Sequence, residues 1–181
     1  AAQGVRGDDH ASTQLGFFVG RWSLEGQSRP TPAAAFSRVT GDHTCSWFSG
    51  GPTVVCREST KDQQGEMDSL FILAWDGGKK VYTLYGTDSA GAITVAQGTL
   101  EGDTWRFTGE TRSAAATSPT RLTFRPAGSA AHTLDVADAQ VVAIYREGMS
   151  VPSIASTATT AEDFTAIVWP MSRPAMTSAM R

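Results

Sequence analysis

His43-Thr44-Cys45-Ser46-Trp47-Phe48-Ser49-Gly50-Gly51-Pro52-Thr53-Val54-Val55-Cys56-Arg57-Glu58 is a stretch whose pairing settles the fold. Two runs of aromatic, β-branched and polar residues flank a Ser-Gly-Gly-Pro cluster, the pattern of a hairpin. Folded symmetrically about Gly50-Gly51, Cys45 faces Cys56, Trp47 faces Val54 and His43 faces Glu58. A two-residue loop would need an N–H from Pro52, which has none. A four-residue loop, Ser49 to Pro52, closes instead on Phe48 and Thr53. Counting back makes Cys45 and Cys56 a non-hydrogen-bonded pair, with Cα atoms about 4.5 Å apart. That separation suits a cross-strand disulfide. The alternative is two buried thiols acting as small hydrophobes. A disulfide would imply an oxidising compartment, the periplasm or cell exterior.

The same pairing puts Trp47, Val54, His43 and Glu58 on the cysteine face, the expected interior. A His beside a carboxylate at the end of an apolar barrel suits an acid–base pair or an anchor for a polar ligand group. The plainer alternative is a solvated pair at the rim. A bulge between Cys56 and Glu58 would remove the pairing.

Outward from this hairpin, the chain reads as short strands over Trp22–Ser28, Phe36–Phe48, Thr53–Thr60, Ser69–Trp75, Lys80–Gly86, Ala92–Leu100, Thr104–Glu110 and Thr120–Arg125. The connecting Asp76-Gly77-Gly78-Lys79, Asp88-Ser89-Ala90-Gly91 and Glu101-Gly102-Asp103 carry the residues that tight turns need. Strands joined so closely are antiparallel. A two-residue loop at Gly102-Asp103 sets Leu100 opposite Trp105, on the face that Phe107 shares. A meander this long is best stabilised by closing on itself. The expectation is an all-β fold: a single antiparallel up-and-down β-barrel, with little helix outside residues 8–19.

The chain has 181 residues, 40% hydrophobic and 18% charged, enough for one domain with a core. Net charge is −3, and its 12 Arg and 3 Lys are scattered, so nothing forms the basic stripe that nucleic acid demands. No apolar run reaches the ~18–20 residues of a helical membrane span. Ala1-Ala2-Gln3-Gly4 carries no leader pattern and suits the product of cleavage after small residues. Residues 1–14 are expected as a flexible N-terminal segment, 15–146 as the barrel and 147–181 as a tail that closes it or serves assembly.

Phe18-Val19-Gly20-Arg21-Trp22 has a Gly-x-Trp entering the first strand. It is followed in order by Cys45-Ser46-Trp47, Gly50-Gly51, Cys56, Trp75-Asp76, Lys80-Val81-Tyr82 and the run Gly98 to Glu110. Over roughly residues 15 to 126 this resembles an uncharacterised bacterial family of small lipocalin-like, calycin-type domains of unknown function. The resemblance implies a closed barrel with a short N-terminal helical turn. Gly20 would let the backbone pass tightly, and Trp22 would plug the floor under an Arg from a late strand, Arg146 ahead of Arg121. It brings no activity with it. The tail departs from the pattern. Thr133–Arg146 reads as one strand, Phe164–Trp169 as a second short run, and Met176 and Met180 as filler on one helical face.

No Cys-x-x-Cys or His-x-x-x-His spacing points to a metal, and no phosphate loop or nucleophile elbow occurs. No cofactor is expected. Haem would need His132 or His43 as its axial ligand, and neither placement has further support. Three functions remain. The first is binding of a small apolar ligand lined by Trp47, Tyr82, Trp105 and Phe107, although for any one of them filling the core is the default role. The second is an isomerase or cyclase using His43 and Glu58 as acid and base. The third is a structural component that oligomerises through its C-terminal tail.

Overall fold

The computed structural model describes residues 9–29, 33–127, 131–136 and 140–146; for residues 9, 50, 136 and 140–146 only the backbone is described. A short helix, α1 (Asp9–Gln14), runs into a 3-10 turn at Leu15–Phe17. Ten strands follow: β1 (Gly20–Ser28), β2 (Ser37–Trp47), β3 (Thr53–Asp62), β4 (Gly65–Asp76), β5 (Val81–Asp88), β6 (Ile93–Glu101), β7 (Thr104–Arg112), β8 (Thr117–Pro126), β9 (Ala131–Val136) and β10 (Gln140–Arg146). Each pairs antiparallel with its sequence neighbour, and β10 returns to β1, so the sheet closes as an up-and-down barrel. Among the described strands, closure leaves no open sheet edge.

The expected hairpins occur at the expected registers. Cys45 pairs with Cys56, Trp47 with Val54 and Leu100 with Trp105. Gly102 takes φ +64° in the two-residue turn, where glycine is favoured. The stretch expected as a single strand over Thr133–Arg146 is instead two, β9 and β10, paired with one another through Leu134 and Val142. This second hairpin supplies the closing strand, with Arg146 the register partner of Trp22. The expected Phe164–Trp169 run, the Met176–Met180 face and the assembly role of residues 147–181 lie outside the described residues, as does the Arg146 side chain. Arg121 is exposed and alternates with the buried Thr120 and Leu122, so it stands on the outer face.

One end of the barrel is plugged. Residues 9–14, expected to be loosely held, form α1, and the following turn sends Leu15 and Phe18 into the core at 0% and 1% exposure. The Phe18 ring lies 5.0 Å from Trp105 and 5.1 Å from Phe124. Burying a ring of this size stabilises the fold by about 1.5–3 kcal/mol. Gly20 then adopts φ +147°, a conformation that a side chain would strain. Trp22 is buried at this end, as expected, and its indole N–H donates to the Phe18 carbonyl at 2.9 Å. Gly98 makes room for the core: a Cβ there would come within 2.6 Å of the Phe107 ring.

The Tyr82 hydroxyl fastens α1 to the barrel, donating to the Ala11 carbonyl at 2.9 Å. Burial raises the Tyr82 pKa above its ordinary 10.0. The folded protein therefore keeps this proton where the unfolded chain loses it. The associated stability is full below about pH 10 and is lost as pH rises through the folded-state pKa. Tyr82→Phe should cost about 0.5–1.5 kcal/mol in urea unfolding at neutral pH. It should also flatten the alkaline loss seen above pH 10; an alkaline profile identical to that of the unsubstituted protein would contradict the assignment.

Candidate functional site

Side chains alternate across a strand, so residues two apart share a face. On β2 this groups His43 with Cys45, and on β3 it groups Cys56 with Glu58. Cys45 and Cys56 are bonded, with S–S 1.98 Å and Cα atoms 4.0 Å apart, in keeping with a non-hydrogen-bonded pair. His43 sits beside the bridge. Its Nδ1 lies 3.3 Å from Glu58 Oε2, and its Nε2 lies 3.3 Å from Cys45 Sγ. A proton on Nδ1 is donated to the carboxylate, which orients the ring and turns Nε2 toward the sulfur. His43 is 6% exposed and Glu58 15%, so water reaches the carboxylate more readily than the ring.

These residues belong to one cross-strand row. Trp22, His43, Glu58, Ser69 and Asp88 are successive register partners across β1 to β5. Trp22 stands edge-on to His43, with ring centroids 6.5 Å apart. At the other end, Asp88 is engaged by its own turn, accepting the backbone N–H groups of Ala90 and Ala92 at 2.9 Å. Glu58 is the carboxylate of this row that meets the imidazole of His43.

The aromatic residues expected to line a ligand gather nearer the plug. Tyr82 packs on Trp105 at 4.6 Å, and Trp105 lies parallel to Phe107 at 6.3 Å. Trp105 and Phe107 are each 1% exposed, while Trp47 is half-buried against the same cluster. They form one cluster with the plug, and that cluster reaches the His43–Glu58 pair through Cys45. His132, weighed above as an axial haem ligand, is fully buried between the two groups. Its ring lies 4.6 Å from Trp22, 4.9 Å from Phe17 and 6.4 Å from His43.

A polar feature that the sequence reading missed lies on β6 to β8, across the ring of strands from β1 to β3. Thr94, Thr111 and Thr120 are inward and buried, and their hydroxyls form a chain with contacts of 2.6 and 2.7 Å. The available signal was their place on the alternation that also carries Ala96, Phe107 and Leu122 inward. Nothing in the residue type distinguishes them from the exposed threonines of the same strands.

Fold and site together define a closed ten-stranded antiparallel barrel, plugged at one end, with a buried disulfide beside an inward His–Glu pair. Residues 8–138 match the family described as "Protein of unknown function (DUF1579)", and the chain belongs to that family. No curated protein matches the chain.

The disulfide closes a short loop, Cys45 to Cys56, separated by 11 in sequence. Loop-closure entropy puts its contribution just under ~3 kcal/mol. Urea unfolding with and without reductant should differ by about 2–3 kcal/mol, and mass spectrometry of protein purified without reductant should find no free thiol. Two alkylatable thiols in that material would contradict the bond.

Proposed function

We propose that this barrel binds a small, mostly apolar ligand in its interior, as lipocalin-like barrels do. The ligand enters from the end opposite the plug and sets its polar end against Glu58 and His43. One observation carries this reading. Inward residues near the plug are closed to solvent, Val54 at 0% and Trp105 at 1%, whereas Glu58, Met67, Ser69 and Phe71 on the inner face of β3 and β4 stay partly exposed. Solvent thus has access to the interior along this wall, where apolar side chains flank one carboxylate. Such a surface suits a ligand with an apolar body and one hydrogen-bonding end.

The pair favours a particular kind of polar end. Glu58 Oε2 takes the His43 nitrogen, and among the described residues Oε1 has no hydrogen-bond partner. A carboxylate oxygen left in this way suits a hydroxyl or N–H donor on the ligand. The buried disulfide supports an oxidising compartment, periplasmic or extracellular, as the place of action.

Titration with a long-chain primary alcohol tests the reading, with tryptophan emission as the signal because Trp22 stands beside His43. The unsubstituted protein should show saturable binding. His43→Ala removes the group that orients Glu58 and should weaken binding roughly 10- to 100-fold, the worth of a hydrogen bond to a charged group. Its far-ultraviolet spectrum should stay that of the barrel. No saturable change in the unsubstituted protein, or equal affinity in His43→Ala, would overturn the proposal.

A further inference from the structure

We propose that reduction of the Cys45–Cys56 bond converts this site into a zinc(II) site, held by the two thiolates and by His43 Nε2. The ligand-bearing atoms of His43, Cys45 and Cys56 lie within 4.8 Å of one another, and all three residues are buried. Zinc bonds of ~2.3 Å to sulfur and ~2.0–2.1 Å to nitrogen place neighbouring donors roughly 3–4 Å apart. The Cys45 Sγ to His43 Nε2 separation, 3.3 Å, already falls in that range. Once the bond is broken, the sulfurs need only separate by rotation of their side chains.

Three features make this more than a chance cluster. Glu58 receives Nδ1 of His43, so the lone pair on Nε2 is directed toward the sulfurs. A carboxylate on the far nitrogen is the usual support of a metal-bound histidine, fixing both tautomer and ring angle. The donor set, two thiolates and one imidazole, is one that zinc takes with a fourth position open. Two thiolates also balance the charge of the ion, so the metal enters a buried site without net charge.

The chemistry is a gated one. A dithiol reductant supplies two electrons and two protons to the Cys45–Cys56 bond and ends as its own disulfide. Zinc(II) then displaces the two thiol protons, while His43 binds through its lone pair and releases none. In the oxidised protein the sulfurs are bonded to each other and no thiolate donor exists, so the same residues hold zinc only after reduction. The proposal does not depend on the binding of any apolar ligand.

Cobalt(II) is the probe, because thiolate coordination gives an intense near-ultraviolet charge-transfer band. The full chain is reduced, desalted without oxygen and titrated with cobalt(II), then with zinc(II). Reduced protein should show the band with an end point at one equivalent, and zinc should abolish it. Oxidised protein, and the Cys45→Ser/Cys56→Ser variant, should show no band. Affinity should fall more than tenfold in His43→Ala and about 10- to 100-fold in Glu58→Gln. A reduced chain that keeps its β spectrum yet gives no charge-transfer band overturns the proposal. So does an equal response from oxidised protein. Should reduction itself unfold the chain, recovery of the β spectrum on adding zinc supports the site, and failure to recover overturns it.

Discussion

The pairing of β2 with β3 is the constraint on which the site depends. A side chain in a strand faces one way or the other according to register, and a slip of one residue exchanges the faces. With Cys45 opposite Cys56, the hairpin turns His43, Glu58 and both cysteines into the barrel together. The disulfide then holds that register covalently, at the point where the interior passes from the aromatic plug to the polar row. The site is therefore a direct consequence of one hairpin, not of contacts gathered from distant loops.

The rest of the barrel supports this hairpin from both sides. On β1, Trp22 faces His43, and its indole N–H is tied to the Phe18 carbonyl, so the plug and the site share a hydrogen-bonded link. On β4, Ser69 faces Glu58. Across the ring, the buried threonine hydroxyls of β6 to β8 satisfy one another instead of being left buried without hydrogen bonds. The interior thus changes along its axis. Near α1 it is filled with packed rings, and away from it with side chains that hold hydrogen bonds. Dense aromatic packing gives rigidity at the plugged end, while the hydrogen-bonding wall is where chemical selectivity resides.

Much of the fold was legible in the sequence, because the turns are written in glycine, aspartate, serine and proline and the strands alternate cleanly. The Cys45–Cys56 pairing followed from symmetry about Gly50-Gly51 and from the missing N–H of Pro52. The split between β9 and β10 was not legible: Ala137-Asp138-Ala139 holds no glycine or proline, so Thr133 to Arg146 reads as one continuous strand. The start of β4 at Gly65 was also missed, since Glu66 and Asp68 place charge on the outward alternation of that strand. His132 reached the neighbourhood of His43 by barrel closure, which sets β9 three strands from β2 through β10 and β1, a proximity that local pattern does not encode. The His43–Glu58 pairing could be read locally, but its seclusion beside Trp22 and the proximity of Nε2 to a sulfur could not. Those follow from three strands meeting, two of them joined by a disulfide.

Proton contacts across the hairpin test this register most directly. In a non-hydrogen-bonded antiparallel pair the two Cα atoms approach to about 4.5 Å, which brings their Hα atoms within easy reach of a nuclear Overhauser effect. Strong Hα–Hα cross-peaks should join Cys45 to Cys56 and His43 to Glu58. Cross-peaks displaced by one residue, joining His43 to Arg57 or to Ser59, would send His43 and Glu58 to opposite faces. That result would contradict the site.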